Sequence, residues 1–165
     1  MLFGRSAPST RILMVCMGNI CRSPMAQTVA AHLASQGLAG GSVQVDSAGT
    51  HAGRGGAPMD PRARTVLTQR GYPAGKGRAR QVTDKDFEKF DMIMAMDQSN
   101  MSELRQMCPG EHTHKLRLLL EFAPTAGTVE IPDPYYGSVQ GFERVLDLCE
   151  LGVRGLLDYV RTIPR

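Results

Sequence analysis

A chain of 165 residues, of which 42% are hydrophobic, is long enough to bury a core of its own and fits one compact domain. The formal net charge is +3 and the basic residues are scattered among acidic ones, so the composition argues against nucleic-acid binding. The 4 cysteines are unevenly spaced and form no C-x2-C pair, which indicates a reducing compartment rather than a disulfide scaffold or a zinc site.

No segment of the chain has the pattern of a secretion signal or a membrane helix. Residues 1–10 lack the long apolar stretch of a signal peptide, and no later segment approaches the span of a bilayer. We therefore expect a cytoplasmic protein without a membrane partner. Residues 1–10 are interpreted as a flexible N-terminal segment and residues 11–165 as one folded domain, because no linker or repeat interrupts them.

Strand-like and helix-like patterns alternate along the chain. Short apolar runs predict strands at four places, residues 11–15, 43–46, 91–96 and 115–119. Apolar residues that recur every three or four positions predict helices at residues 24–36, 61–70, 99–107 and 141–161. Such alternation predicts an α/β fold, a single-domain three-layer structure in which helices flank both faces of a four-stranded parallel sheet.

The segment Cys-Met-Gly-Asn-Ile-Cys-Arg-Ser-Pro, at residues 16–24, has the composition of a phosphate-binding loop that carries a thiolate nucleophile. It follows the first predicted strand, whose end lies at an edge of the sheet. Gly18 and Asn19 tolerate backbone angles that aim successive N–H groups at one point. We expect Ser23 to be the N-cap of the next helix and Pro24 its first residue.

The charges around this loop favour the binding of a dianion. A helix N-terminus, the loop amides and the guanidinium of Arg22 would together surround an anion, and the same field would favour the thiolate of Cys16. The alternative interpretation is a buried cysteine at a strand end with an unrelated surface arginine.

The loop at residues 16–24 resembles the signature loop of the low-molecular-weight protein tyrosine phosphatases. Further segments resemble that family in the same order, namely DSAGT at 46–50, ARQVT at 79–83, FD at 90–91, MDQSN at 96–100 and DPYYG at 133–137. The resemblance extends over residues 11–162 and implies hydrolysis of protein phosphotyrosine without a metal or other cofactor. It implies inorganic phosphate as the product and a phosphotyrosine-containing protein as the partner, a tyrosine kinase being one candidate.

The resemblance also implies a role for each site residue. Cys16 would attack phosphorus, Arg22 would bind the phosphoryl oxygens, and Asp133 would act first as general acid and then as general base. Substrate would be bound by the rest of the loop and by two tyrosines: Met17, Gly18, Asn19, Ile20, Cys21, Ser23, Tyr135 and Tyr136. Judged from the residues alone, Asp-Pro is also a common turn former, and the two tyrosines could simply anchor their loop.

Two supporting residues are expected behind the loop. Ser47 is a partner for the side chain of Asn19 by resemblance. Asp97 is interpreted as an N-cap or loop anchor, paired either with Arg80 or with the surroundings of Arg22.

The sequence departs from the family pattern at several positions. Many members have a histidine where this chain has Gly77, so we expect Asn19 to be held less firmly. The loop at residues 51–56 lacks an aromatic residue, which predicts a more open wall of the cleft. Related phosphatases that act on phosphoarginine have threonine at the position of Ile20. Cys21 could form a disulfide with an oxidised Cys16 or be a small buried residue.

Two other functions remain open at this point. Arsenate reductases of the same fold use a similar cysteine loop but need two further redox cysteines, and Cys108 and Cys149 are not spaced for that relay. The chain could also be a catalytically silent phosphate-binding module. The silent module is disfavoured because four reactive residues occur together, namely Cys16, Arg22, Ser23 and Asp133.

Overall fold

The computed structural model describes residues 9–164 of the chain. Its centre is a parallel sheet with the strand order β2-β1-β3-β4. The strands are β1 (Thr10–Cys16), β2 (Val43–Gly49), β3 (Met92–Ala95) and β4 (Leu116–Leu118). The predicted four-stranded parallel sheet is confirmed, with strand ends that differ from the predicted ones by at most three residues.

Helices cover both faces of the sheet. They are α1 (Arg22–Ser35), α2 (Pro61–Gln69), α3 (Asp84–Lys89), α4 (Gln98–Met107) and α5 (Val139–Thr162). Short 3-10 helices occur at Gly110–Lys115, Leu119–Phe122 and Pro124–Ala126. The predicted three-layer α/β architecture is confirmed.

The side chains of β1 alternate between the two layers of helices. Ile12 and Met14 pack in the core cluster that contains α1, α2 and α5, and Leu13 and Val15 pack in the cluster that contains α3 and α4. All four are fully buried. A central strand that is covered on both faces has a continuous apolar sequence, which explains the run that precedes Cys16.

Helix α5 lies very close to the segment that follows β4. A Cβ atom at Gly155 would lie 1.8 Å from the carbonyl oxygen of Phe122, and one at Gly152 would lie 2.7 Å from Cγ of Leu119. Glycine is therefore required at position 155, where the contact is with backbone, for this helix to pack against residues 119–122.

Two details of the predicted elements are wrong. Helix α1 begins at Arg22 and not at Pro24, and its N-cap position is Cys21, whose side chain makes no capping bond. Ser23 is therefore inside the helix. The short helix α3 was not predicted, because six residues with Phe87 as their buried apolar residue show no helical period.

The predicted flexible segment, residues 1–10, falls mostly outside the described residues. Thr10 is paired with Val43 as part of β1. Among residues 9–164, none of the helices combines the length and the apolar character that crossing a bilayer requires.

Candidate active site

The loop between β1 and α1 lies at the carboxyl edge of the sheet, where parallel sheets bind ligands. Cys16 is the last residue of β1 and Arg22 is the first residue of α1, and both are almost fully buried. Asn19 adopts the left-handed conformation with φ 58°, which asparagine tolerates better than most residues. Gly49, at the end of β2, packs against the loop, since a Cβ there would lie 2.6 Å from the carbonyl oxygen of Met17.

This loop has backbone N–H groups that are available to bind a ligand. Within the described part of the chain, the N–H groups of residues 18–22 donate no hydrogen bond to protein. The loop carbonyls are used instead, because Thr50 N–H donates to Cys16 O at 3.0 Å and His51 N–H to Met17 O at 2.8 Å. A set of free amides around a buried arginine is a site for an anion.

Behind Cys16 runs a chain of side-chain hydrogen bonds. The Oγ of Ser23 lies 3.0 Å from the Sγ of Cys16. Asn19 Nδ2 donates to Ser23 Oγ at 2.8 Å and to Ser47 Oγ at 3.0 Å, and Ser47 Oγ donates to Gln27 Oε1 at 2.6 Å. Because Ser23 accepts from Asn19, its own hydrogen can point at the sulfur, and the other acceptor within its reach is the carbonyl oxygen of Ala48 at 3.4 Å.

The side chain of Asn19 makes three hydrogen bonds. Its Oδ1 accepts a hydrogen bond from the backbone N–H of Arg80 at 2.9 Å, in addition to the two that its amide donates. These three bonds form without a histidine at position 77, where Gly77 and Asn19 both line a cavity of about 420 Å³.

Arg22 is held by groups on the other side of β1. Its Nη1 donates to Asp97 Oδ2 at 2.6 Å and to the carbonyl oxygen of Ile131 at 3.0 Å, and its Nη2 lies 3.7 Å from Asp133 Oδ2. Burial alone would lower the pKa of Arg22. The hydrogen bond to Asp97 and the nearby Cys16 outweigh burial, so the pKa of Arg22 lies above its usual value.

Asp97 is the N-cap of α4 as well as the partner of Arg22. Its Oδ1 accepts from Asn100 N–H at 2.7 Å, and Asn100 Oδ1 accepts in return from Asp97 N–H at 3.2 Å. Of the two predicted partners the structure has Arg22, since Arg80 pairs with Asp46 and Asp86 instead.

Asp133 lies on the loop that precedes α5 and faces the buried arginine. Its Oδ1 accepts from Tyr135 N–H at 3.0 Å, and 45% of its side chain is exposed. The rings of Tyr135 and Tyr136 meet edge to face at 4.9 Å between centroids, and the second ring is almost entirely exposed.

A cleft of about 210 Å³ contains most of the predicted site residues, and it is large enough for a phenyl ring above the loop. It is lined by Cys16, Met17, Gly18, Ile20, Cys21, Arg22, Asp133, Tyr135 and Tyr136. The remaining predicted residues, which lie behind this lining, are Asn19, Ser23, Ser47 and Asp97. Residues 51–56, expected to form one wall, are not part of the lining.

Cys21 borders the cleft as a buried free thiol. Its burial, and then the negative charge of Asp60, raise the pKa of Cys21 to about 12. It is therefore a protonated thiol at neutral pH, unlike the reactive form of a nucleophilic cysteine.

The sequence did not single out Asp60 and Arg62, which connect α2 to the loop of Asp133. Asp60 is the N-cap of α2, and Arg62 donates to the carbonyl oxygens of Tyr135 at 2.9 Å and Gly137 at 3.3 Å. The Asp-Pro pair at positions 60–61 is a recognisable helix start, but no local pattern links it to a loop more than 70 residues away.

Within residues 9–164, no group of three or more His, Cys, Asp or Glu side chains is placed to hold a metal ion. The positive groups of the cleft are those of Arg22 and the loop amides.

The model of the family described as low molecular weight phosphotyrosine protein phosphatase matches residues 11–163. A low molecular weight protein-tyrosine-phosphatase of Streptomyces coelicolor is 41% identical over 155 residues, which cover 92% of this chain and 93% of that protein. A crystal structure of a protein tyrosine phosphatase from Entamoeba histolytica is 39% identical with a TM-score of 0.86, covering 91% of this chain and 96% of the other. The structure of YfkJ from Bacillus subtilis is 36% identical with a TM-score of 0.85, covering 95% and 97%. The chain belongs to the low molecular weight phosphotyrosine protein phosphatase family.

Proposed function

We propose that the protein hydrolyses phosphotyrosine in proteins through a cysteinyl-phosphate intermediate, with Cys16 as the nucleophile and Asp133 as the general acid and base. The observation that carries this proposal is the composition of one cleft. A buried cysteine lies at its base, flanked by a buried arginine and by a half-exposed aspartate that faces the arginine. Residues 11–165 would form the catalytic domain.

In the first step, the Sγ of Cys16 attacks phosphorus in line with the bond to the tyrosine oxygen. That P–O bond breaks, and Asp133 donates its proton to the departing oxygen so that tyrosine leaves in neutral form. Arg22 and the free amides of residues 18–22 bind the three equatorial oxygens, and they stabilise the charge that spreads over these oxygens in the transition state.

In the second step, the carboxylate of Asp133 accepts a proton from water while the water oxygen attacks phosphorus. The S–P bond breaks, inorganic phosphate leaves, and the thiolate of Cys16 returns. The Ser23 hydroxyl, 3.0 Å from the sulfur, donates to the thiolate and makes it a better leaving group. Neither step calls for a metal or a cofactor, since Arg22 and the amides supply the positive charge.

The packing of the other cysteines argues against an arsenate reductase. Cys149 is fully buried in the core on the α5 side of the sheet, and Cys108 packs against the core on the opposite side. Cys149 lies in the same cluster as Cys16, but a relay of two thiols would also need Cys108 to come from the other side of the sheet. The presence of a proton donor beside the nucleophile likewise favours an enzyme over a silent phosphate-binding module.

The proposed partner is a phosphotyrosine-containing protein, with a tyrosine kinase as one candidate. We place its action in the cytoplasm, because the proposed nucleophile must stay reduced to act and oxidation would remove the thiolate.

The test is the release of inorganic phosphate from a phosphotyrosine peptide, with arsenate reduction measured on the same preparation. We expect phosphate release, and a phosphoprotein intermediate trapped by rapid denaturation in alkaline detergent that is absent from Cys16→Ser. Arsenate reduction without phosphate release would support the reductase, and phosphate binding without turnover would support the silent module. Either result would contradict the proposal.

A further inference from the structure

Residues 132–137, which we call the acid loop, have few attachments to the rest of the protein. In the part of the chain that the structure describes, the hydrogen bonds that reach this loop from elsewhere both come from Arg62, at the carbonyl oxygens of Tyr135 and Gly137. The loop's other contact with a charged group is the Asp133–Arg22 pair at 3.7 Å. At this distance, and with the Asp133 side chain 45% exposed, the pair holds the loop only weakly.

Arg62 is itself fixed by Asp60. Its Nε donates to Asp60 Oδ1 at 3.1 Å and its Nη2 to Asp60 Oδ2 at 3.0 Å, in a fork-to-fork arrangement. The guanidinium also lies 4.6 Å from the ring centroid of Phe142 in α5. An arginine clamped at one edge by a carboxylate and at one face by a ring has little freedom, so its remaining donors point in fixed directions.

Asp60 in turn contacts the phosphate-binding loop. Its backbone N–H donates to the carbonyl oxygen of Ile20 at 2.9 Å, and its side chain is 8% exposed. A continuous set of hydrogen bonds therefore runs from Ile20 through Asp60 and Arg62 to the carbonyls of Tyr135 and Gly137. It joins the two loops that carry the nucleophile and the acid.

We propose that Arg62, held by Asp60, positions the acid loop relative to the phosphate-binding loop and thereby places the carboxyl group of Asp133 for proton transfer. This inference rests on the proposed function, because its effect is exerted through the proton donor. Arg62 does not line the cleft and contacts no reacting atom, so it is a positioning residue. Without it, Pro132 and Pro134 still restrict the backbone of the loop but do not fix its distance from Cys16.

The test compares Arg62→Met with Arg70→Met. Methionine keeps the aliphatic length and removes the donors. Arg70 lies at the other end of α2 and bridges to Asp147 and Glu150 of α5 without contact to the acid loop, so it is a matched control. The values of kcat/KM are measured with phenyl phosphate, whose leaving group needs a proton, and with p-nitrophenyl phosphate, whose leaving group needs one much less.

Arg62→Met should lower kcat/KM for phenyl phosphate by roughly 10- to 100-fold, a share of the 10²–10⁴-fold that a general acid contributes, and lower it less for p-nitrophenyl phosphate. Inhibition by inorganic phosphate should change less than about twofold, because the anion site is intact. Arg70→Met should change neither substrate by more than about twofold. Arg62→Lys should recover only part of the loss, since an ammonium cannot reach both carbonyls and the carboxylate as a fork does.

A double-variant cycle separates positioning from a general structural role. In an Asp133→Ala background, Arg62→Met should cost less than about twofold, because the proton donor is already gone. Equal losses on both aryl phosphates, or full losses in the Asp133→Ala background, would overturn the inference.

If Arg62→Met does not fold, full activity of Arg62→Lys would overturn it and a graded loss on phenyl phosphate would support it. An unsubstituted protein that releases no phosphate would overturn the proposed function and this inference together. If the parent protein is active and Asp133→Ala slows phenyl phosphate more than p-nitrophenyl phosphate, but Arg62→Met changes neither rate, this inference alone is overturned.

Discussion

The guanidinium of Arg22 and the carboxylate of Asp97 form an ion pair at 2.6 Å that is largely shielded from water. One oxygen of Asp97 accepts from Arg22 and the other caps α4, so a single side chain fixes both the arginine and the start of a helix. Because Arg22 is 2% exposed, its charge depends on neighbouring anions for compensation.

Asp97→Asn should therefore lower the free energy of unfolding by about 3 kcal/mol, since it leaves a buried charge without its main partner. Asparagine can still accept the bond from Asn100, so the helix cap survives. Asp97→Ala should cost about 1 kcal/mol more, because the cap is lost as well. Urea unfolding of the two variants beside the parent measures both differences. An Asp97→Asn protein as stable as the parent would show that the pair does not stabilise the fold.

Cys16→Ser should abolish turnover and leave oxyanion binding largely intact. A serine hydroxyl does not ionise at neutral pH in this site, whereas Arg22 and the free amides of residues 18–22 are unchanged. Phosphate release and phosphate binding by calorimetry measure the two properties on the same sample. Appreciable turnover by the serine variant would rule out the thiolate mechanism.

Asp133→Ala should slow aryl phosphates with poor leaving groups by roughly 10²–10⁴-fold. Substrates whose leaving group is already a stable phenolate should lose less, because they do not depend on a proton. A series of aryl phosphates of rising leaving-group pKa gives the slope of log kcat/KM directly. If every substrate loses the same factor, Asp133 orients the loop and does not donate the proton.

Stability should fall in alkaline solution because of Cys21. Its pKa is raised to about 12 by burial and by the charge of Asp60, whereas an unfolded cysteine titrates near 9.0. Between these values the unfolded chain binds fewer protons than the folded one, so the free energy of unfolding decreases as pH rises through that window and is unaffected below it. Cys21→Ser should make this decrease less steep in urea unfolding from pH 8 upward. Cys149, whose pKa burial also raises, should keep part of the decrease. Parallel curves for parent and variant would contradict the prediction.

The position of the loop between β1 and α1 was predictable because its determinants are local. A strand end, a flexible loop and an arginine at a helix start lie within nine consecutive residues, 16–24. The prediction of Ser23 as the N-cap was wrong because Ser-Pro is a common helix start. In the structure Ser23 lies inside the first turn, and its hydroxyl is 3.0 Å from the sulfur of Cys16. The residue at which α1 begins depends on the path of the preceding loop, and the positive φ of Asn19 is part of that path.

Contacts between distant segments could not be predicted from local patterns. Arg62 donates hydrogen bonds to the carbonyl oxygens of Tyr135 and Gly137. Arg22 pairs with Asp97. Both contacts form only because the fold brings these distant segments together. The hydrogen bond from the backbone N–H of Arg80 to Asn19 Oδ1 was likewise not predictable, because a backbone N–H has no local sequence pattern.

The side chain of Ile20 should make the protein prefer phosphotyrosine to phosphoarginine and phosphoserine. Ile20 lines the cleft together with Cys21 and Tyr135, and its side chain offers no polar partner to a guanidinium. A phenyl ring against it is desolvated without loss of hydrogen bonds, whereas an unsatisfied guanidinium is costly. Phosphoserine is too short to bring its phosphorus to Cys16, which is 3% exposed at the base of the cleft. The measurement is kcat/KM on matched peptides that carry each group, for the parent and for Ile20→Thr. The threonine hydroxyl should shift the ratio toward phosphoarginine by about tenfold, the equivalent of one hydrogen bond. A parent protein that hydrolyses phosphoarginine as fast as phosphotyrosine, or a ratio unmoved by Ile20→Thr, would show that this side chain does not set the selectivity.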